Sequence, residues 1–154
     1  MQDVLIKPDA TGIYDLVIDG ADFASAEGFE TAIATSLFTD ARAPAVQVQE
    51  AQDRRGWVGN ILYLDNGREI GGLLWILDQA RITEDTLNFA KQFAMDCLQW
   101  MTDDDVARSV EVIVNQSDTR SVKIYTNVTT VDNTVLRYVT LWRDTDLSRN
   151  ISRA

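Results

Sequence analysis

The sequence contains no histidine and only one cysteine. Without histidine, the chain cannot form a Ser-His-Asp or Cys-His catalytic arrangement, and it lacks the most frequent general base of enzymes. A single thiol, Cys97, excludes an intramolecular disulfide, which is typical of proteins that fold in a reducing compartment. These absences favour a structural role over catalysis, and we expect no enzymatic activity, no cofactor and no metal.

Long apolar runs are also absent, since no segment approaches about 18 consecutive apolar residues. The first residues, MQDVLIKPDATG, combine acids with a proline, so we expect neither a secretion signal nor a membrane span. The 154 residues are 45% hydrophobic and 25% charged, as in an ordinary globular domain. We expect one domain over residues 1–144 and a polar, frayed C-terminal tail over 145–154.

The net charge of −10 is distributed unevenly along the chain. Residues 1–40 carry a net −7, residues 41–105 a net −5 and residues 106–154 a net +2. A chain of this charge repels nucleic acid and anionic lipid, so we expect it to bind neither. The mildly basic last third remains suited to an acidic protein partner.

The clearest helical periodicity covers residues 83–101, TEDTLNFAKQFAMDCLQWM. Thr83 suits the N-cap, and acids follow it in the first turn, where they interact favourably with the helix dipole. The apolar face should include Leu98, widened by Phe89 and Phe93. We expect this to be the central core helix.

Weaker signals precede it. The segment 13–18 is strand-like, and a helix is expected over 29–37, with Ser25 as a plausible N-cap and Glu27 in the first turn. The apolar run LLWILDQA, 73–80, is too short for periodicity to distinguish a buried strand from a short helix.

Three segments near the C-terminus alternate apolar and polar residues with the period of strands. They are SVEVIVN (109–115), RSVKIYTNV (120–128) and TVLRYVTLW (134–142). Their short connections predict an antiparallel meander. The whole chain therefore reads as α+β, with two or three helices packed on a small, mainly antiparallel sheet.

The last of these strands has no lysine or proline, the residues that usually protect an exposed edge. Its single charge is Arg137, and it ends at Trp142. We expect this edge to accept a strand from a partner, with Arg137, Val139 and Trp142 in the contact. The alternative is that the C-terminal tail folds back and covers the edge.

Residues 39–60 form a long, polar connection of the kind that often has a function. Within it, Arg54, Arg55 and Trp57 are close in sequence, and Arg42 lies near its start. Tryptophan and arginine are enriched among the residues that dominate protein interfaces, which predicts partner binding at these four positions. The alternative is that Trp57 packs back onto the core.

Other chemistry is weakly supported. Cys97 lies on the apolar face of the core helix and is expected to be a buried, inert thiol. The acids at 103–105 lack the spacing of a calcium loop and are interpreted as a solvated turn. Paired carboxylates among Glu69, Glu84 and Glu111 would be needed for glycoside hydrolysis.

Five segments occur in an order and spacing that resemble a known family. They are LFTDARA (37–43), RRGWVGN (54–60), IGGLLWIL (70–77), CLQWM (97–101) and VEVIV (110–114). Together, over about residues 12–142, they resemble the small baseplate-wedge protein of Mu-like contractile-tailed phages, the counterpart of the sheath-initiating wedge protein of other contractile tails.

This resemblance implies a virion protein of the tail baseplate, made in the host cytoplasm, with six copies around the tail axis. Its implied partners are other baseplate wedge and hub proteins and the tail sheath, which such proteins are thought to dock by strand exchange. The wider group was once labelled lysozyme-like, so the alternative is a peptidoglycan-degrading tail hydrolase with paired carboxylates. A cytosolic adaptor outside any virion is a further alternative.

Overall fold

The computed structural model describes residues 2–8, 13–48, 53–62, 68–78, 80–119, 121–143 and 150–153. The strands are β1 (Gln2–Val4), β2 (Ile6–Pro8), β3 (Tyr14–Leu16), β4 (Ile18–Asp19), β5 (Asp22–Phe23), β6 (Ser25–Glu27), β7 (Ser109–Gln116), β8 (Ser121–Thr129), β9 (Val135–Arg143) and β10 (Asn150–Arg153). The helices are α1 (Glu30–Phe38), α2 (Gly59–Leu62), α3 (Glu84–Leu98) and α4 (Trp100–Asp103), with 3₁₀ helices at Ala45–Gln47 and Leu74–Leu77. The predicted α+β class is confirmed.

The main sheet has the strand order β10-β9-β8-β7, and each neighbouring pair is antiparallel. The predicted three-stranded meander is therefore confirmed. Because side chains alternate between the faces of a strand, one face of β7, β8 and β9 is buried. Its buried side chains are Val112, Val122, Ile124, Thr126, Val128, Tyr138, Thr140 and Trp142. We call this the inner face and the opposite one the outer face.

The predicted open edge on β9 is wrong, because β10 pairs with it. The ladder runs from Asn150 opposite Leu141 to Arg153 opposite Tyr138. The expectation of a frayed tail is therefore also wrong for these four residues. Strand pairing uses backbone groups, so a short polar segment can form an edge strand without any apolar alternation. The division of the chain at residue 144 stays a prediction.

Helix α3 supplies much of the core. Thr83 is its N-cap, as predicted, since its Oγ1 accepts a hydrogen bond from the Thr86 backbone N–H at 3.2 Å. Leu98 is fully buried, and Phe93 packs at the margin of the core. Phe89 was placed wrongly, because it is 55% exposed and stacks on Phe93 with 6.2 Å between ring centroids. The buried residues of α3 are four positions apart, at Thr86, Ala90, Ala94 and Leu98, and this stripe leaves Phe89 to one side.

The helix predicted over 29–37 is present as α1, Glu30–Phe38, but its predicted N-cap at Ser25 is wrong. The proposed N-cap segment, Ser25–Glu27, forms strand β6, and Gly28 follows it at φ 115°. The helix has no side-chain cap, and the Phe29 backbone N–H donates instead to the Tyr138 hydroxyl at 2.9 Å. A long-range contact to the sheet thus replaces the local cap that the sequence predicts.

The two long helices pack together and lie over the sheet, α3 against β7 and α1 against β10. They share one apolar cluster with the inner face of the sheet. The segment that looked like either a strand or a helix is the 3₁₀ helix Leu74–Leu77, which buries Leu74, Trp75 and Leu77. None of the helices formed by the described residues is long and apolar enough to cross a membrane.

Strands β1 to β6 form three short two-stranded ladders, which we call the N-terminal arm. The ladders meet at Leu5, whose N–H donates to Ala24 O and whose carbonyl accepts from Val17 N–H. Thr31 on α1 donates its hydroxyl to Val4 O at 2.8 Å, which fastens the arm to the helix. The arm leaves several apolar side chains exposed: Ile13, Leu16, Ile18 and Phe23.

We predict that Leu98→Ala lowers the free energy of unfolding by roughly 2–5 kcal/mol, because it leaves a cavity in a closed core. Urea denaturation followed by circular dichroism measures this change. Met95→Ala, on the exposed side of the same helix, is the control and should change stability by less than about 0.5 kcal/mol. Equal denaturation midpoints for the two variants would contradict the assigned buried face.

Candidate partner-binding groove

The long connection after α1 is held in place from both sides. Ala43 N–H donates to Arg54 O at 3.0 Å, and Arg54 Nε donates back to Ala43 O at 2.6 Å. Ala41 N–H donates to Gly72 O at 3.0 Å, and Gly72 N–H to Thr39 O at 2.9 Å. Residues 39–43 are therefore fixed between the second half of the connection and the segment before Leu74–Leu77.

A sharp bend then places Arg55 against the body of the protein. Arg55 has φ 48° and Gly56 has φ 114°, both in the left-handed region. A β-carbon at Gly56 would lie 2.9 Å from the Cβ of Arg42, so only glycine fits this bend without displacing its neighbour. Arg42 reinforces the bend by donating from Nη1 to Arg55 O at 3.4 Å.

The Arg55 guanidinium is the centre of a charged cluster. Its Nη1 lies 3.0 Å from Asp40 Oδ2 and 3.4 Å from Asp78 Oδ2, and its Cζ lies 4.7 Å from the Trp75 ring centroid. Trp75 is itself buried and donates from Nε1 to Ala41 O at 2.9 Å. The Arg55 guanidinium thus bridges two carboxylates.

Trp57 lies at the surface beside this cluster. Its side chain is 43% exposed, and its ring rests on Gly59, where a β-carbon would lie only 2.2 Å from the ring. Asn60 anchors the following turn, because its side chain both accepts from Ile70 N–H and donates to Ile70 O, each at 2.9 Å. Trp57 is therefore held in position without entering the core.

A groove of about 740 Å³ separates Trp57 from the N-terminal arm. The arm contributes Ile6 and Tyr14 to one wall, and α1 contributes Phe38, whose ring centroid is 5.5 Å from that of Tyr14. The lining also includes Asp40, Arg55, Gly56, Trp57 and Asp78. The groove is thus mostly apolar and aromatic, with the charged cluster along one wall.

The predicted partner-binding residues fall into separate places. Arg42, Arg54, Arg55 and Trp57 lie together in the connection, and Arg55 and Trp57 line the groove. Arg137 and Val139 lie on the outer face of the sheet, on strand β9. Trp142 is 2% exposed and faces the core from the inner face. Partner contact by these residues stays a prediction.

Several groove residues were not predicted as site residues from the sequence: Ile6, Tyr14, Phe38, Asp40 and Asp78. Tyr14 was interpreted only as part of a strand. Asp40 lies inside the motif LFTDARA, and Asp78 follows directly after the apolar run LLWIL. An acid next to a buried segment is a weak signal for a charged cluster, and nothing local indicates its partner.

The other candidate chemical groups lie away from this groove. Burial raises the pKa of the Cys97 thiol to about 12, and the neighbouring Asp96 carboxylate adds to the shift. Asp104 forms an ion pair with Arg68, which lowers the pKa of the Asp104 carboxyl. Within the described ranges, no group of three or more cysteine, aspartate or glutamate side chains is arranged to hold a metal ion.

We predict that Trp57→Ala leaves the protein folded and lowers its stability by less than about 1 kcal/mol, because the ring is already half exposed. The matched variant is Trp75→Ala, which removes a buried ring and should cost roughly 3–5 kcal/mol. Thermal unfolding of both variants provides the comparison. A Trp57→Ala protein as unstable as Trp75→Ala would place Trp57 in the core.

Comparison with known proteins identifies the family. The model of the family described as phage protein GP46 matches residues 29–135, more than half of the chain. Baseplate protein gp46 of Escherichia phage Mu is 32% identical over 126 residues, which cover 80% of this chain and 85% of that protein. Mu-like prophage FluMu protein gp46 of Haemophilus influenzae is 35% identical over 101 residues, 66% of this chain and 67% of the relative. No solved structure matches the chain. The resemblance to Mu-like phage proteins is confirmed, and the chain belongs to the GP46 family of phage proteins.

Proposed function

We propose that this chain is a structural protein of a contractile-tail baseplate, where it links inner baseplate proteins to the tail sheath. The observation that carries the proposal is the extent of the match to the phage Mu baseplate protein, which covers 80% of this chain and 85% of the relative. The family match over residues 29–135 includes the connection that contributes Arg55 and Trp57 to the groove.

A linking protein needs at least two partner surfaces, and the structure offers two. The first is the groove between the N-terminal arm and Trp57. The second is the outer face of the sheet, where Ile113, Tyr125 and Val139 lie opposite one another across β7, β8 and β9. Ile113 is 43% exposed, and the helices lie over the inner face. Tyr125 and Val139 are partly exposed beside Ile113, so the row presents some apolar surface to a partner.

The edge of β7 belongs to this second surface. β7 is the terminal strand of the main sheet, and no described strand pairs with its outer edge. Its sequence, SVEVIVNQ, has neither lysine nor proline. An edge of this kind is suited to strand addition, because free backbone groups supply affinity and alternate side chains supply register. The edge predicted from the sequence, on β9, is already occupied over four residues by β10.

In this proposal the outer face and the β7 edge contact the sheath, with Arg137 and Val139 in the contact. The groove contacts inner baseplate proteins of the wedge and hub. Six copies surround the tail axis in the virion, after synthesis in the cytoplasm of the host bacterium. The partners, the six copies and the site of synthesis come from the family resemblance, and the division of the partners between two surfaces is this proposal's own.

We predict that tagged chain, isolated from phage-producing cells, captures both the sheath protein and inner baseplate proteins. Ile113→Asp should reduce sheath capture, because it places a charge on the apolar row, while inner baseplate capture persists. Trp57→Ala should reduce the capture of inner baseplate proteins while sheath capture persists. Val131→Asp, at an exposed position in the turn between β8 and β9, is the control. If each variant lost both partners equally, or neither, the two-surface assignment would fail.

The proposal includes no catalysis. The carboxylates considered for glycoside hydrolysis lie on three separate elements, Glu69 before the 3₁₀ helix at 74–77, Glu84 in α3 and Glu111 in β7. All three are exposed, whereas burial is the usual means of keeping a general acid protonated. Glu111 accepts a hydrogen bond from Asn127 across the outer face of the sheet.

We therefore predict that the purified protein does not clear a peptidoglycan suspension at any pH from about 4 to 8. Turbidity measurements with lysozyme as a positive control test this expectation. Clearing that disappears in Glu69→Gln or Glu84→Gln would establish the hydrolase alternative instead.

A further inference from the structure

Trp57 is presented at the groove by a short segment that is held on both sides. After Trp57, the Asn60 side chain bonds to both backbone groups of Ile70 at 2.9 Å, and the Asn60 N–H donates to Trp57 O at 3.0 Å. Before Trp57, the bend at Arg55 and Gly56 sets the direction of the chain. The orientation of the Trp57 ring therefore depends on what holds this bend.

The bend is not one that its residues adopt by themselves. The φ of 48° at Arg55 lies in the left-handed region, which non-glycine residues occupy only where surrounding contacts impose it. Gly56 adds freedom rather than restraint, because glycine takes positive and negative φ values about equally readily. The Arg55 backbone receives local support, since its N–H donates to Asp53 Oδ1 at 3.0 Å and its carbonyl accepts from Arg42 Nη1 at 3.4 Å.

The Arg55 side chain joins the bend to other segments of the protein. Its Nη1 lies 3.0 Å from Asp40 Oδ2, just after α1, and 3.4 Å from Asp78 Oδ2, just after the 3₁₀ helix at 74–77. Its Cζ lies 4.7 Å from the ring centroid of Trp75, which is buried. A guanidinium is suited to this combination, because it bonds to carboxylates and stacks on an aromatic face at the same time.

We propose that Arg55 is a positioning residue, which holds the bend so that Trp57 meets its partner in a fixed orientation. This inference rests on the proposed function, in which the groove contacts inner baseplate proteins. It differs from the prediction made from the sequence, in which Arg55 itself contacts the partner. The Arg55 side chain is 43% exposed, but its Nη1 and its guanidinium face are engaged within the protein. Prior positioning of Trp57 favours binding, because less conformational freedom is lost when the complex forms.

Fluorine NMR of the purified protein tests the positioning directly. Fluorotryptophan labels the four tryptophans of the chain, and Trp57→Phe assigns the Trp57 signal. We expect Arg55→Gly to move this signal towards that of free fluorotryptophan, because glycine can adopt the left-handed conformation but makes no side-chain contact. The signals of Trp100 in α4 and Trp142 in β9 should stay in place and show that the variant is folded. Arg137→Ala, which removes an exposed arginine from the outer face of the sheet, is the control and should move none of the four signals.

Capture of inner baseplate proteins from phage-producing cells, quantified by mass spectrometry, provides the second measurement. Arg55→Gly should reduce capture by at least about threefold, since apparent affinity falls with the fraction of molecules in the binding-competent conformation. In a chain that already carries Trp57→Ala, Arg55→Gly should cause no further loss, because the side chain that it positions is gone. Arg137→Ala should leave capture unchanged. If Arg55→Gly does not fold, Arg55→Lys replaces it, since lysine keeps the charge but lacks the planar group.

The outcomes separate this inference from the proposed function. A wild-type chain that captures no inner baseplate protein would overturn both. Normal capture by the wild-type chain, together with an unmoved Trp57 signal or undiminished capture in Arg55→Gly, would overturn the inference alone. A further loss of capture when Arg55→Gly is added to Trp57→Ala would also overturn it, since Arg55 would then contact the partner itself.

Discussion

The environment of Trp75 determines how the connection after α1 is arranged. The ring is buried in the core, its Nε1 fixes Ala41 O, and its face lies against the Arg55 guanidinium. The cation–π contact and the two carboxylates together hold Arg55 in a left-handed conformation that a non-glycine residue rarely adopts. Gly56 and Trp57 follow Arg55 directly in the chain. The position of the buried Trp75 ring therefore determines where the exposed Trp57 ring lies at the groove.

The inner and outer faces of the main sheet have different surroundings. Its inner face joins α1 and α3 in a single apolar cluster, and Tyr138 on that face also receives the hydrogen bond that starts α1. Its outer face keeps the row Ile113, Tyr125 and Val139 next to charged positions such as Arg137. Since strand periodicity separates the two faces, substitutions on the outer row leave the core packed.

The corrections to the sequence predictions have a common physical cause. Ser25 is a good helix cap by type, but β6 pairing and the bond between Phe29 and Tyr138 determine where α1 begins. Phe89 is apolar, but the buried stripe of α3 passes beside it. β10 is polar, but backbone pairing with β9 needs no apolar side chain. In each case a contact between distant parts of the chain outweighed a local preference.

The sequence by itself determined the α+β class, the three-stranded meander, the capped core helix and the family. The periodicity and the cap at Thr83 are local patterns, and the family is indicated by the order of short motifs along the chain, so none of these features needs a knowledge of which distant segments are in contact. The arginine and tryptophan residues of the long connection were also predicted as site residues, and two of them, Arg55 and Trp57, line the groove. Only the tertiary structure decided that Tyr14, Phe38 and Asp78 complete it, that Trp142 is buried and that β10 closes one edge of the sheet. Those outcomes depend on backbone pairing and packing between segments far apart in the chain, and no local pattern encodes which distant segment will be the neighbour.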